Sequence, residues 1–345
     1  MSGARGLLGA SIAAGMALAT VLACAGTTDL GTFPLCEPSA AVAAPWDASL
    51  ILLGDDEVTD GLFGFVVRDG RLDDQRGLPL PSGASIDNIE ALAAAGDELI
   101  VVGSHSRDKQ CKPRPDRHRI LIARWDRERR RLGAVRMIDS WKTWRDATKD
   151  TRRCLEKLFV SPAPELAEEV CRAIVEAEIA SREGTESCGV FNVEGGLAVP
   201  SGSLGASPRF WLGLRSPLAG SAGILLRLAP ALDSLRFDAA ALIELGGRGV
   251  RELALRGSSV WGIAGPPGRT PGSYQFWRIP AASLATGGRI VPEILPPLLP
   301  DPSEGIVFDS RGAVVVVDGD RGGKKHAVRC RKPGRQMRIE GIAEP

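Results

Sequence analysis

Asn192-Val193-Glu194-Gly195-Gly196-Leu197-Ala198, then a turn, then Phe210-Trp211-Leu212-Gly213-Leu214, is a pattern that returns along this chain. A short strand carries an acidic residue near its start, and a continuous apolar run follows. The same outline is found at Asn88-Ile89-Glu90-Ala91-Leu92-Ala93 before Leu99-Ile100-Val101-Val102-Gly103. It recurs at Val250-Arg251-Glu252-Leu253-Ala254 before Val260-Trp261-Gly262-Ile263-Ala264-Gly265, and at Ser303-Glu304-Gly305-Ile306-Val307 before Val314-Val315-Val316-Val317. Leu50-Ile51-Leu52-Leu53-Gly54 leads the series; the strand before it, around Ser39 to Ala44, lacks the acid. An apolar run this short, rich in β-branched residues and closed by Gly, Pro or Asp, reads as a strand buried on both faces.

A third strand follows each run: Leu62 to Val67, Ile120 to Trp125, Gly223 to Leu228, Tyr274 to Ile279, and Ala327 to Cys330. A polar fourth often succeeds it, as at Arg136-Met137-Ile138 or Ala240-Ala241-Leu242-Ile243. Glu90 and Glu194 stand further apart than the other acids because residues 140–186 read as helix. Arg145 to Phe159 is one amphipathic candidate. A second starts with Pro164 at its first turn and runs to Ser181, with Leu166, Val170, Ile174 and Ala177 on one face. With that insert set aside the repeat is close to regular, at about 50 residues, the period of propeller blades. A blade is a small sheet that cannot bury both faces alone, so its neighbours in a ring cover them. The fold expected is all-β: a single β-propeller of five or six blades with a helical insertion. A sixth blade would come from leftover strands and the two chain ends. A β-sandwich or two β domains are the alternatives, and neither predicts a repeated acidic position.

The first residues carry a separate signal. Arg5 precedes an uncharged, Ala- and Gly-rich run from Leu7 to Ala23, too short for a membrane span but right for an export signal. Val21-Leu22-Ala23-Cys24 is similar to a lipobox, with Leu22 where a small residue is commoner. The division expected is a signal peptide at 1–23, a lipidated Cys24 with a tether over 24–35, and the propeller over 36–345. Simple cleavage after Ala23 is the alternative. Six further cysteines suit an oxidising compartment. Their number allows many pairings; those expected are Cys154 with Cys171 inside the insert, Cys36 with Cys330 near the chain ends, and Cys111 with Cys188.

With 43 basic and 42 acidic residues, no net field favours nucleic acid. Only 8 of the 43 are Lys, the mark of a GC-rich genome. The basic stretches Arg114 to Arg119, around His118, and Arg321 to Arg338 read as solvated. There is no GxSxG, no phosphate-binding glycine loop and no CxxC.

At Gly54-Asp55-Asp56-Glu57, Gly103-Ser104-His105-Ser106-Arg107, Asn192-Val193-Glu194-Gly195, Leu214-Arg215-Ser216-Pro217, Gly246 to Arg251 and Ala264 to Gly268, the chain resembles a bacterial family known only as domain of unknown function 3616. The resemblance spans about residues 36–320. It implies a propeller, distantly similar to esterase-like phytases and lactonase-type propellers, and implies no agreed activity.

In a propeller the inner strands line the axis, and ligands sit there or on the loops at its mouth. The inner candidates are Glu90, Glu194, Arg251, Glu252 and Glu304, beside Asn88 and Asn192; those at the rim are Asp55, Asp56, Glu57, His105, Arg107, Arg215, Asp318 and Asp320. Converging carboxylates repel unless a cation sits among them. Oxygen ligands of this kind suit Ca2+ or Mg2+. Lactonase-type propellers, to which the resemblance points distantly, hold such a metal with a Glu in an early Glu-Gly step as one ligand.

Two functions follow as expectations. One is a monomeric, lipid-anchored module of the cell envelope, presenting its rim or its insert to a small anionic ligand or an envelope protein. The other is a metal-assisted hydrolase of phosphoesters or lactones. Its metal ligands would be Glu90, Glu194, Glu304 and Asp318, with Arg215 as anion clamp and His105 as proton shuttle. In the first case the repeated acids bond the backbone of the next blade instead.

Overall fold

The computed structural model of the chain describes residues 27–32, 34–108, 110–182, 191–200, 207–231, 233–268, 272–319 and 333–340. The expected export signal, Cys24, Cys188, Asp320 and the stretch Ala327 to Cys330 lie outside them.

The chain is a five-bladed β-propeller. Strand β1 (Thr27–Thr32) precedes blade one, which comprises β2 (Pro38–Ala43), β3 (Leu50–Asp55), β4 (Gly61–Arg68) and β5 (Arg71–Pro79). Blade two is β6 (Ile89–Ala95), β7 (Glu98–Gly103), β8 (Arg119–Asp126) and β9 (Arg131–Asp139). Helices α1 (Trp141–Ala147), α2 (Thr151–Leu158) and α3 (Ala167–Arg182) follow. Blade three is β10 (Asn192–Val199), β11 (Arg209–Ala219), β12 (Ala222–Leu228) and β13 (Phe237–Ile243). Blade four holds β14 (Gly249–Arg256), β15 (Ser259–Gly265) and β16 (Tyr274–Pro280); after α4 (Ser283–Thr286) the short β17 (Gly288–Ile290) pairs in parallel with β13 of blade three, and β18 (Glu293–Leu299) completes blade four. Blade five is β19 (Ser303–Asp309), β20 (Gly312–Val317) and β21 (Arg335–Glu340), with β1 as its outermost strand.

The inner strands touch in the order β2, β6, β10, β14, β19 and back to β2, which closes the ring. The expected apolar runs are the second strands of the five blades, and they are almost wholly buried. Five hydrophobic clusters fill the five junctions between blades, which is where a sheet buried on both faces places its side chains. Gly196 shows how tightly the ring is drawn. A Cβ there would run into the Leu92 backbone of the neighbouring inner strand.

The chain ends do not build a sixth blade; they complete the fifth. Residues 27–32, expected in the tether, are strand β1, paired antiparallel with β21 from Thr27↔Ile339 to Thr32↔Arg335. The third strand of blade five is Arg335–Glu340, not the expected Ala327 to Cys330. The basic tail is therefore partly inside the fold. Arg338 is buried and forks onto Asp309, at 2.8 and 2.9 Å.

The insert is helical as expected but is divided differently. Arg145 to Phe159 is not one helix, because Asp150 starts a new one by accepting the Arg153 N–H at 2.8 Å. The buried stripe of α3 runs through Ala167, Val170, Cys171, Ile174 and Glu178. The insert packs into the junction of blades two and three, where Trp144, Phe159 and Ile174 share one core with Phe210 and Phe237. Cys154 and Cys171 are disulfide-bonded, tying α2 to α3. Cys36 and Cys111 are each in a disulfide as well, with partners outside the described residues. Among the described residues no helix is long and apolar enough to cross a membrane.

Candidate functional site

Each inner strand slips register by one residue against its neighbour, at Ser39, Glu90, Glu194, Arg251 and Glu304. Each is the extra residue of a β-bulge, a device that turns a side chain away from the ladder. The repeated position therefore reads Ser, Glu, Glu, Arg, Glu around the ring. In blade four it belongs to Arg251, not to the Glu252 that the sequence suggested.

Three of these side chains meet. The Arg251 guanidinium lies between Glu194, with Nε 2.9 Å from Oε2, and Glu304, which Nη2 engages directly. The Glu194 contact is close but poorly aligned for a hydrogen bond, so it acts mainly as an ion pair. Arg215 adds a second cation to Glu194 at 2.8 Å, and Asn192 donates to the same oxygen at 2.7 Å. Asn88, held in the left-handed region at φ 58°, donates to Glu90 at 2.6 Å and also to Asp56. Burial, then the Asp56, Glu194 and Glu304 carboxylates, push Glu90 well above the usual range. Burial pushes Glu304 up to about 7 against the pull of Arg251.

Glu252 follows the bulge, so its side chain takes the next direction. It is fully buried and accepts the Ala41 N–H at 2.9 Å, the Leu253 N–H at 2.8 Å and a backbone bond from Gly196. Those residues lie on blades one, four and three. This is the blade-joining role expected of the repeated acids.

Of the four carboxylates expected to gather round a metal, Glu194 and Glu304 come together, but through Arg251. Glu90 faces that pair from blade two. Asp318 belongs to an acidic group with Glu37, Asp55, Asp56 and Glu57, whose charges, after burial, push Glu37 up to about 8, and which Asp56 links to Glu90 through Asn88. Among the described residues no group of three or more His, Cys, Asp or Glu side chains is arranged to hold a metal ion.

Arg215 and His105 serve different places. Arg215 bridges blades three and four, donating to the Gly268 carbonyl at 2.6 Å and the Pro266 carbonyl at 3.3 Å as well as to Glu194. His105 is buried, with Nδ1 2.8 Å from the Gly103 carbonyl and Nε2 2.9 Å from the Ser140 hydroxyl. Burial pulls it down to about 4. It lines a cavity of about 260 Å³ between blade two and the insert.

That cavity is the second candidate site. His118, expected on an exposed loop, is 2 % exposed and forms part of its wall. Its ring meets Trp141 edge-on at 4.9 Å, and Trp144 packs on Phe191 at 4.0 Å. Arg107 and Arg182 both engage the buried Glu178, the latter at 3.2 Å. Arg145 and Lys149 stand at the rim. Two of the three histidines and a Trp141-x-x-Trp144 step converge here, a signal present in the sequence but split between a loop and a helix.

The fold and these two places define a five-bladed propeller with a charge-compensated mouth and a side cavity under a helical cap. The family profile "Protein of unknown function (DUF3616)" matches residues 68–294, and the chain belongs to that family. No curated protein matches the sequence. Among solved structures, a GH43 β-1,3-galactosidase with bound galactodeoxynojirimycin is similar at 10% identity and a TM-score of 0.44, over 87% of this chain and 89% of that one. A luciferin-regenerating enzyme is similar at 10% identity and 0.41, over 92% and 96%. Hydrazine synthase of Kuenenia stuttgartiensis is similar at 11% identity and 0.36; the match covers 83% of this chain but only 56% of that one.

Proposed function

We propose that this protein is an exported propeller, anchored to the bacterial cell envelope by lipid on Cys24, that binds a ligand or partner without turning it over. One observation carries the reading. Arg251 and Arg215 together already balance Glu194 and Glu304, so the acids of the mouth are engaged in an internal ion-pair network. Glu252 is likewise consumed in joining three blades. A guanidinium placed where a metal would stand favours the fold over water activation.

The second reading, a hydrolase using Ca2+ or Mg2+, draws its support from the raised carboxyls Glu90 and Glu304 at the mouth, since displaced pKa values gather at working sites. The test is a screen of the mature protein against phosphomonoesters, phytate and lactones with and without each cation. The binding reading expects no chelator-sensitive turnover. Turnover that EDTA and Arg215→Ala both abolish overturns it. Envelope anchoring is tested by fractionation: Cys24→Ser should release the protein from the membrane fraction.

A further inference from the structure

We infer that the cavity between blade two and the helical insert binds a small organic anion with a planar apolar body, of the aromatic carboxylate or aryl phosphate class. The inference rests on the binding reading above and assigns that reading its site.

Charge comes first. The cavity wall holds four cations, Arg107, Arg145, Lys149 and Arg182, against one carboxylate, Glu178. Arg107 and Arg182 share that carboxylate, so both are oriented by it while neither is fully neutralised. Lys149 is tied at 2.8 Å to Asp146, on the exposed side of the helix. Arg145 makes no hydrogen bond or ion pair among the described residues. Arg107 is largely buried, while Arg145, Lys149 and Arg182 stand exposed around the opening, so the surplus draws an anion in and repels a cation, less strongly as salt rises.

Shape comes second. Trp141 and Arg145 stand four residues apart on α1, and Thr148, which caps that helix, follows Trp144 by the same step, so one side of the helix and its end supplies rings and polar groups. The rings of Trp141, Trp144 and Phe191 provide apolar walls for a flat ligand body. A volume of about 260 Å³ falls just under the ~300–1,000 Å³ of drug-sized sites and limits the ligand to about one ring and its acid group.

His118 is the independent observation. Its Nδ1 is buried and has no hydrogen-bond partner among the described residues. A buried polar atom left unpaired costs about 1–3 kcal/mol. A ligand oxygen in the cavity would satisfy it if the proton sits on Nδ1. Burial, with the charges of His105, Arg107 and Arg117, keeps the ring neutral, so it contributes a hydrogen bond and not a charge.

The experiment is calorimetric titration of the full mature chain, with the fluorescence of Trp141 and Trp144 as a second readout. Benzoate and phenyl phosphate carry both features. Benzamide keeps the ring without the charge, benzylammonium reverses the charge, and acetate and inorganic phosphate keep the charge without the ring. Benzoate or phenyl phosphate should bind at least tenfold more tightly than all four others. Arg145→Ala, at an exposed position, should weaken the anions about tenfold while the melting temperature holds. His118→Phe should weaken them too. Equal binding of benzamide or benzylammonium, anion binding unchanged in Arg145→Ala, or no binding of either aryl anion at millimolar concentration overturns the assignment. Those results leave the binding reading standing; chelator-sensitive hydrolysis at the mouth overturns that reading instead.

Discussion

Glu252 on blade four accepts a hydrogen bond at 2.9 Å from the backbone N–H of Ala41 on blade one, two steps away around the ring. One side chain can do this because the five inner strands leave an axis narrow enough for opposite strands to touch. Its carboxyl lies far above the usual range, because burial outweighs the backbone bonds that favour the ionised form. A protonated carboxyl is closer in shape and charge to an amide than to nothing. Glu252→Ala should therefore cost about 2–4 kcal/mol, since it leaves the N–H groups of Ala41 and Gly196 unpaired in the core. Glu252→Gln should cost less than half of that. Urea unfolding midpoints measure both, and equal losses would remove the blade-joining role.

Arg251 makes a different kind of prediction. Removing it strands Glu194 and Glu304 beside one another without their shared cation. Breaking one side of a buried ion pair costs about 3–5 kcal/mol, more than the pair itself contributes. Arg251→Met should show that loss by chemical denaturation. Adding Glu194→Gln and Glu304→Gln to Arg251→Met should recover most of it. A triple variant no more stable than the single one would mean that Arg251 acts through packing against Tyr274, which lies 5.3 Å away.

The blades were legible because their second strands are buried on both faces and so carry unbroken apolar runs, such as Leu99 to Gly103. The repeated acid was legible only to within one residue. A bulge adds a residue to one strand without any compositional mark, so Arg251 and Glu252 exchanged roles. The last blade was misread because its strands do not advertise themselves. Strand β1 is an exposed edge with no apolar alternation, and β21 buries Gln336 and Arg338 through polar bonds. Gln336 clasps the Leu72 backbone of blade one, accepting at 2.8 Å and donating at 3.3 Å. The cavity at His118 was invisible for another reason. It needs a loop after β7 and the face of α1 to meet, and only the packed insert brings them together.

Stability should fall as pH rises above neutral. Glu37 is held at about 8 and Asp56 and Glu304 at about 7, against ordinary values of 4.5, 3.8 and 4.5. Burial is the first cause for all three. Between those ordinary values and the raised ones, the folded chain holds more protons than the unfolded chain, so raising the pH favours unfolding. His105, at about 4, and His118, at about 2, act oppositely, but only below their ordinary 6.5. From pH 6.5 to 8.5 the acids act without that opposition, and the melting temperature should drop steadily. Glu37 is half-exposed, so its share is on the order of 1 kcal/mol after screening. Glu37→Gln should flatten the decline between pH 7 and 8. A melting temperature that is constant or rising over that range would contradict these environments.

The closure of blade five by β1 sets a limit on any anchor. Strand β1 starts at Thr27 and pairs along β21 as far as Thr32, so only residues 25–26 separate it from Cys24. The three steps from Cys24 to Thr27 span at most about 11 Å. A lipid on Cys24 would thus hold the outer edge of blade five against the membrane surface. Deleting Thr27–Thr32 should uncover the edge of β21, remove the partner of Arg335 and expose unpaired backbone. The deleted protein should unfold several degrees earlier and form oligomers on gel filtration. Inserting a ten-residue Gly-Ser linker after Gly26 should leave the melting temperature unchanged, because the pairing of β1 is untouched. It should also make a protease that cuts the blade-five edge more effective on intact membranes. If the short and the lengthened forms are cut at the same rate, the edge does not lie against the bilayer, and Cys24 does not fix the propeller's orientation.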